Sequence, residues 1–191
     1  MRRRVATVGR RLGGASLWLM LWLMLSAVSW AQEAATPADD DPATLLRLKA
    51  GYLYKFGAFV EWPPRTFATA RSPVVIGVLD QDTLADELAL IVGGRSVQGR
   101  EIVVRRLHAG DRFDGVHVLY LGKELAAPAP SEPVLTVADE RLPAAMGGVI
   151  RFVRVDGRLR FQVFMKRAQA AGLVLSARLL AVAQRVEAEA P

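Results

Sequence analysis

Residues 74–94 read VVIGVLDQDTLADELALIVGG. The first six are apolar and mostly β-branched, which predicts a strand buried on both faces. After a short turn, apolar residues recur at helical spacing. This stripe consists of Leu84, Leu88 and Ile91. Gly93-Gly94 is typical of the end of a helix. The stretch therefore predicts a β-α unit, which is typical of an α/β domain with a partly parallel sheet.

A longer helix is predicted before this unit. Asp41 precedes Pro42, a pair typical of a helix N-cap followed by proline at the first helical position. A broad apolar stripe then recurs at steps of three and four residues. Its members are Leu45, Leu48, Tyr52, Phe56 and Phe59. Pro63-Pro64 ends the pattern, because proline lacks an N–H and disfavours helix in the residue before it. The width of the stripe predicts a helix that packs on a large apolar surface.

Further strands are predicted downstream. They are Glu101–Leu107, Val116–Leu121 and Val134–Val137. Asp156-Gly157 then separates the strand patterns 149–155 and 158–164, a typical β-hairpin signal. Ser176 predicts the cap of a final helix. The apolar face of that helix would be Leu179, Leu180, Ala183 and Val186. We expect a single compact α/β domain, with a mixed and mostly covered β-sheet flanked by helices and with a C-terminal β-hairpin and helix.

The N-terminus has the pattern of an export signal. Residues 1–31 contain five arginines and no acidic residue, an apolar run over 17–30, and small side chains at Ser29 and Ala31. An uncleaved anchor is the alternative to cleavage near Ala31, because residues 12–31 approach the length of about 20 residues that spans a bilayer. The expected segments are a signal peptide over 1–31, a flexible leader over 32–41 and the α/β domain over 42–191.

The positive charge of the chain belongs to that first segment. The 191 residues carry 25 basic and 19 acidic side chains, a formal net charge of +6. Without the five arginines of residues 1–31, 20 basic residues face 19 acidic ones, a net charge of +1. The electrostatic argument for binding a nucleic acid therefore largely disappears.

The sequence offers no assembled catalytic or metal-binding motif. The absence of cysteine excludes disulfides, thiol nucleophiles and thiolate metal sites. Only two histidines are present, His108 and His117, and the second lies in a predicted core strand. Asp80 and Asp82 fall in a turn, where aspartate caps local backbone groups. We therefore expect a protein that is not an enzyme, with no catalytic residue, no cofactor and no metal.

Two features leave alternatives open. Arginines decorate the predicted hairpin, either as a solvated strand edge or as a ligand cradle. They are Arg151, Arg154, Arg158 and Arg160. Trp62, beside Pro63-Pro64, is either part of the core with the other aromatic residues or an anchor for a binding partner.

The string LKAGYLYKF at 48–56, continued by FVEWP at 59–63, resembles the opening of the YfiR family of periplasmic proteins. Later segments are similar to the same family in the same order. They are VIGVL at 75–79, Gly99-Arg100, VLTV at 134–137, GGVI at 147–150 and AGLVLSARLL at 171–180. The similarity spans residues 45–186. It departs from the family at Lys55 and Phe164, where Asn is frequent, and in the absence of the cysteines that some relatives carry.

The resemblance implies a non-catalytic periplasmic regulator, expected as a homodimer. Such a protein binds the periplasmic sensor region of an inner-membrane diguanylate cyclase and lowers cyclic-di-GMP signalling, and with it biofilm formation. An OmpA-like outer-membrane lipoprotein is a second partner to expect. The expected partner-binding residues are Glu61, Trp62, Arg100, Gly147 and Gly148. A periplasmic small-ligand receptor, suggested by the aromatic residues and glycine turns, is the alternative. A hydrolase would rest only on scattered polar residues.

Overall fold

The computed structural model describes residues 41–122, 133–143, 145 and 148–188, all within one unit that covers Ala38–Pro191. The predicted export segment, the leader up to residue 40, and Gly147 lie outside the described residues.

Four helices and ten strands make up the described part of the chain. The helices are α1 (Pro42–Ala58), α2 (Asp82–Val92), α3 (Met165–Ala170) and α4 (Ala177–Val182). The strands are β1 (Val60–Glu61), β2 (Val74–Leu79), β3 (Ser96–Val97), β4 (Arg100–Leu107), β5 (Val118–Leu121), β6 (Leu135–Ala138), β7 (Ile150–Val155), β8 (Arg158–Phe164), β9 (Val174–Leu175) and β10 (Arg185–Glu187). A 3₁₀ turn covers Pro64–Thr66.

The main sheet has eight strands in the order β10-β8-β7-β6-β5-β2-β4-β3. Strands β4, β2, β5, β6 and β7 run parallel to their neighbours in this order, and β7 and β8 form the antiparallel hairpin. The predicted mixed α/β domain with a C-terminal hairpin and helix is confirmed. Because β4 and β5 flank β2 on opposite sides, the chain reverses its direction of travel across the sheet at the β2–β5 pair. The carboxyl ends of such a pair leave a crevice where α/β proteins bind ligands.

Local signals explain where the elements begin and turn. Asp41 caps α1, since its side chain accepts a hydrogen bond of 2.8 Å from the Thr44 amide, and Pro42 follows as predicted. In the hairpin turn, Asp156 and Gly157 have φ values of 50° and 70°. Two positive φ values are what a tight turn between twisted strands requires, so the Asp-Gly signal is confirmed.

The core forms where α1 packs on the sheet. Phe56 of α1 lies 4.9 Å from the ring of Phe161 on β8, edge to face, and Tyr52 contacts the same ring at 5.6 Å. Phe56, Phe152 and Phe161 are almost fully buried. Tyr52 and Phe56, two members of the apolar stripe predicted from the sequence, thus pack α1 against the hairpin, whereas Phe59 lies beyond the helix, which ends at Ala58.

The predicted final helix is too long. It ends at Val182, and Val186 lies instead in β10, which pairs in parallel with β8 opposite Val163. The Gln184 amide donates to the Phe161 carbonyl at 2.8 Å as the chain joins this edge. A strand here satisfies backbone groups of β8 that a longer helix would leave unpaired.

A second, two-stranded sheet has no counterpart in the sequence prediction. In this sheet β1, directly after α1, pairs antiparallel with β9, so that Val60 faces Leu175 and Glu61 faces Val174. Each strand has only two residues, too few for a periodic signal. The pairing fixes the direction in which the chain leaves α1 toward Trp62.

Candidate functional site

Trp62 and Arg100, two of the residues expected to bind a partner, meet in one group of side chains. We call this group the aromatic cluster, and it consists of Trp62, Phe67, Arg100 and His117. The Phe67 ring stacks on His117 at 4.5 Å and meets Trp62 edge to face at 6.1 Å. The Arg100 guanidinium lies 3.8 Å from the centre of the Phe67 ring, a cation–π contact. The cluster lies at the amino ends of the parallel strands, because His117 directly precedes β5 and Arg100 begins β4.

Backbone groups hold the cluster in place. Arg100 Nη1 donates to the carbonyls of Thr69 at 3.0 Å and Ser72 at 2.8 Å, which ties the loop before β2 to β4. His117 Nδ1 accepts a hydrogen bond of 3.0 Å from the Val75 amide, so this histidine has the structural role expected of it. The Arg100 and His117 side chains thus hold β4 and the start of β5 to the loop before β2 and to β2 itself.

The expected interface residues differ in exposure. Glu61 is exposed on β1, and Arg100 is half-buried. The Trp62 side chain is 8% exposed and belongs to the main core, yet its Nε1 has no hydrogen-bond partner among the described residues. A buried donor without an acceptor is rare in folded proteins. Trp62 is therefore a core residue with an unused polar atom.

Gly148 lies elsewhere, just before β7. A Cβ atom at this position would lie 2.4 Å from the backbone oxygen of Thr136 on β6, so only glycine fits. The Gly148 carbonyl also accepts a hydrogen bond of 3.3 Å from Arg167. Close packing between two strands accounts for this glycine, while a role in partner binding stays a prediction, as it does for Gly147.

A group of charged side chains around the buried Asp139 was missed by the sequence analysis. We call it the ion cluster, and it consists of Lys49, Tyr120, Asp139, Glu140 and Arg141. Lys49 Nζ lies 2.7 Å from Asp139 Oδ2 and 2.9 Å from Glu140 Oε2. Arg141 Nε donates to Asp139 Oδ1 at 2.7 Å, and the Tyr120 hydroxyl donates to Asp139 Oδ2. Asp139 is fully buried and the Lys49 side chain is 7% exposed. Each charge in this cluster is therefore paired, as a low-dielectric site requires.

Hydrogen bonding sets the protonation of the ion cluster. Burial by itself raises the pKa of Asp139, but hydrogen bonds from Arg141, Lys49 and Tyr120 outweigh it and hold the pKa well below its usual range. Burial, followed by the charge of Asp139, raises the pKa of Tyr120 far above its usual value. At neutral pH the cluster thus contains a carboxylate at Asp139 and a protonated phenol at Tyr120.

Arginines of the hairpin hold the loop that follows β6. Arg151 Nη2 donates to the Leu142 carbonyl at 2.5 Å, and Arg154 Nε lies 4.0 Å from Glu140 Oε1. Arg158 and Arg160 are exposed, as expected of a solvated strand. Arg154 is exposed as well, whereas Arg151 is half-buried and supports the backbone of residues 140–142. The expectation of a strand edge is wrong, because β6 pairs with β7 and β10 pairs with β8.

Four residues of the ion cluster, all except Asp139, line a cavity of about 230 Å³. The cavity is lined by Pro42, Leu45, Leu46, Lys49, Gln81, Leu84, Tyr120, Glu140 and Arg141. Its polar residues follow or end the neighbouring parallel strands: Gln81 comes after β2, Tyr120 lies near the end of β5, and Glu140 comes after β6. The cavity thus lies at the crevice that the reversal between β2 and β5 creates. We call it the switch-point cavity.

Sequence separation explains why the ion cluster was missed. Lys49 and Asp139 are 90 residues apart. Lys49 lies between apolar neighbours in α1, where a lysine is usually read as exposed. The available signal was polar residues directly after successive apolar strands, since parallel strands bring their carboxyl ends to one edge of a sheet.

The fold and these two sites define a single-domain α/β protein with a mixed sheet. A family model described as YfiR/HmsC-like matches residues 46–184, so the chain belongs to the YfiR/HmsC-like family. A search of curated proteins finds no match. The matched region contains the aromatic cluster, the ion cluster and nine of the ten strands.

Family membership supports a periplasmic regulator of diguanylate cyclase signalling and not an enzyme. Among the described residues, no helix has the length and apolar character needed to cross a membrane. In the same part of the chain, His, Asp and Glu side chains form no group of three that could hold a metal ion.

Proposed function

We propose that the protein is a periplasmic negative regulator that binds the periplasmic sensor region of an inner-membrane diguanylate cyclase and lowers cyclic-di-GMP output. The match to the YfiR/HmsC-like family over residues 46–184 carries this proposal. It includes a signal peptide over 1–31 that is cleaved near Ala31, and a homodimer as the working state. An OmpA-like outer-membrane lipoprotein is the second proposed partner.

Regulation of this kind needs no catalytic activity in the regulator. A protein that binds the inactive state of a cyclase more tightly than the active state shifts the cyclase toward inactivity by that difference in affinity. The requirement on the regulator is a rigid surface. The paired β1 and β9 and the loop held by Arg100 supply such a surface next to Trp62.

We place the partner-binding surface at Glu61, Trp62 and Arg100, with Gly147 and Gly148 shaping a second part of it. Glu61 offers an exposed charge, and Arg100 offers a guanidinium fixed on the Phe67 ring. Aromatic residues and arginine are the side chains most enriched among those that dominate binding energy at protein interfaces. The unused Nε1 of Trp62 is a donor that an acceptor on a partner could satisfy after a small movement of the ring.

Binding of the purified protein to the purified periplasmic domain of a cyclase from the same organism tests the proposal. Glu61→Arg reverses an exposed charge, so we expect binding to weaken by at least about tenfold while folding is retained. Arg100→Met removes the cation–π contact and both hydrogen bonds, and the same loss is expected. Asp86→Arg, a charge reversal on α2 outside the aromatic cluster, is the matched control and should bind normally.

The cellular measurement is cyclic-di-GMP in a strain that retains the cyclase. Deletion of the gene should raise the cyclic-di-GMP level. Expression of the parent protein or of Asp86→Arg in the deletion strain should restore the low level. Unchanged cyclic-di-GMP after deletion, or a parent protein that does not bind the cyclase domain, would refute the proposal. Normal binding by both Glu61→Arg and Arg100→Met would refute the location of the surface while leaving the function in place.

Trp62→Ala is a weaker test of the same surface. Because the side chain is 8% exposed, its truncation also removes core packing, at a cost of about 3–5 kcal/mol. Loss of repression by a variant that keeps the parent's circular dichroism spectrum would support an interface role. An unfolded variant would show that Trp62 serves the core alone.

A small-ligand receptor is the second candidate function. The observation in its favour is the switch-point cavity, which combines apolar walls with polar side chains at the place where α/β folds bind ligands.

A further inference from the structure

We propose that the switch-point cavity binds a small organic monocarboxylate, with the carboxylate on Arg141 and Gln81 and a compact apolar group against α1 and α2. This inference goes beyond the proposed regulator. It rests on the position of the cavity, its apolar walls, and two hydrogen-bonding side chains with unused atoms.

The size of the cavity limits the ligand. Its volume of about 230 Å³ equals the space of about eight water molecules, at about 30 Å³ each. This is below the range of about 300–1,000 Å³ that holds drug-sized ligands. The cavity therefore fits a metabolite of the size of a branched short-chain acid.

The walls require an apolar group. One side of the cavity is formed by apolar side chains of the first turns of α1 and by Leu84 of α2. The contributions from α1 are Pro42, Leu45 and Leu46. An aliphatic group placed here would be removed from water, which is favourable by about 25 cal/mol for each Å² of apolar surface buried. A ligand without an apolar part would leave these walls unfilled.

Arg141 supplies the recognition of a carboxylate. Its Nε and its backbone N–H both donate to Asp139 Oδ1, at 2.7 and 3.0 Å, which fixes the direction of the side chain. Its two terminal nitrogens make no hydrogen bond within the described part of the chain, and the side chain is 60% exposed. Two parallel N–H groups of a guanidinium match a carboxylate, and a guanidinium that is already oriented loses less entropy on binding.

Gln81 provides a second donor. It lies two residues after the end of β2, and its side chain lies so close to Gly122 that a Cβ there would be 2.4 Å from Gln81 Cγ. Glycine at 122 thus makes room for the Gln81 side chain at the rim of the cavity. The Gln81 amide has no hydrogen-bond partner among the described residues, and it lines the same space as Arg141.

The charges around the cavity favour a single negative charge on the ligand. Lys49 and Arg141 balance Asp139 and Glu140, so the ion cluster has no net charge. The Lys49 ammonium is already held by both acids, at 2.7 and 2.9 Å. One guanidinium edge is therefore available to an anion. Among the described residues that line the cavity, no second unpaired cation is present to balance a dianionic phosphate beside Glu140. A monocarboxylate satisfies the arrangement.

The test uses purified protein expressed from the full-length sequence, without any cyclase. Isothermal titration and ligand-observed NMR are run with 4-methylpentanoate, with 4-methylpentanamide and with leucine. We expect 4-methylpentanoate to bind and the uncharged amide, of the same shape, to bind at least about tenfold more weakly, because it loses a charge-assisted bidentate contact. Leucine distinguishes a simple carboxylate from an amino acid, whose ammonium group could face Glu140, and binding of either acid supports the proposal.

Variants locate the binding. Arg141→Met should weaken the binding of 4-methylpentanoate at least about tenfold, because it removes a charged hydrogen bond. Gln81→Met should weaken this binding about threefold, because it removes a neutral hydrogen bond. Arg112→Met removes an arginine whose side chain is 86% exposed and lies outside the cavity, and it should bind like the parent. Gln81→Met keeps the test decisive if Arg141→Met fails to fold, since the Gln81 amide supports no other described residue.

Failure of both acids to bind, equal binding of acid and amide, or equal binding by the parent, Arg141→Met and Gln81→Met would overturn the proposal. None of these outcomes depends on whether the protein binds a cyclase, so they leave the proposed regulatory function untouched. Conversely, if the protein binds 4-methylpentanoate but no cyclase domain, the result would support the proposed carboxylate site and refute the proposed regulatory function.

Discussion

Replacement of Lys49 by methionine should destabilise the protein strongly. Lys49 is the only residue of the ion cluster that contacts both acids, Asp139 and Glu140, and its side chain is 7% exposed. Methionine has a similar length and fits the apolar surroundings of α1, so little packing is lost. The change leaves Glu140 without its nearest cation and Asp139 with only Arg141 and Tyr120 as side-chain donors.

The magnitude follows from the geometry. At an effective dielectric constant of about 20, two unit charges 2.8 Å apart attract by about 6 kcal/mol, most of which offsets the cost of removing them from water. Removal of one partner from a buried pair typically costs about 3–5 kcal/mol, because the other charge stays buried. Since Asp139 keeps two donors, we expect about 3 kcal/mol for Lys49→Met. For a protein of this size, that lowers the midpoint of thermal unfolding by about 6–12 °C.

The assay is thermal and urea unfolding followed by circular dichroism at neutral pH. Arg112→Met is the control, because Arg112 pairs with Asp114 on the surface at 2.5 Å and should leave the midpoint unchanged. The double variant Lys49→Met with Glu140→Gln removes one of the two stranded charges and should recover part of the loss. A Lys49→Met midpoint equal to that of Arg112→Met would refute the view that the ion cluster is desolvated and coupled.

Two further predictions concern pH and backbone packing. Because the pKa of Asp139 is lower in the folded protein than in the unfolded chain, the ionised carboxylate stabilises the fold fully above the unfolded pKa of about 4, and this stabilisation is lost as the pH falls below it. The thermal midpoint of the parent should therefore fall more steeply from pH 5 to pH 2.5 than that of Asp139→Asn. Parallel plots of midpoint against pH for the two proteins would contradict this. Gly148→Ala forces a Cβ to within 2.4 Å of the Thr136 carbonyl and should destabilise by about 1–3 kcal/mol, whereas Gly51→Ala, with open space in α1, should stabilise by about 0.5–1 kcal/mol. Equal midpoints for the two alanine variants, measured by thermal unfolding, would show that the β6–β7 contact is loose.

Most of the elements could be read from the sequence because their signals are local. The β-branched run Val74–Leu79, the Asp41-Pro42 cap and the Asp156-Gly157 turn each act within a few residues, and each lies where it was predicted. The wrong prediction that the final helix extends to Val186 has a local cause as well. Val186 continues the helical spacing of Leu179, and only the unpaired edge of β8 diverts it into a strand.

The candidate sites could be read only in part. The sequence predicts Trp62 and Arg100 on separate grounds, an aromatic residue at a proline turn and a motif shared with a family. Nothing in their spacing predicts that they meet across Phe67. Nothing in the sequence near Lys49 or near Asp139 predicts that these two residues are in contact. The order of strands that joins them is a property of the whole sheet.

The amino-acid sequence alone fixed the class of fold, because hydrophobic spacing and turn residues act on the few residues beside them and need no knowledge of the rest. The three-dimensional packing decided which strands lie side by side, and with them the switch-point cavity and its balanced charges. The physical reason is burial. Lys49, Asp139 and Glu140 can be held out of water only where α1 and the carboxyl ends of β5 and β6 bring their charges within ion-pairing distance.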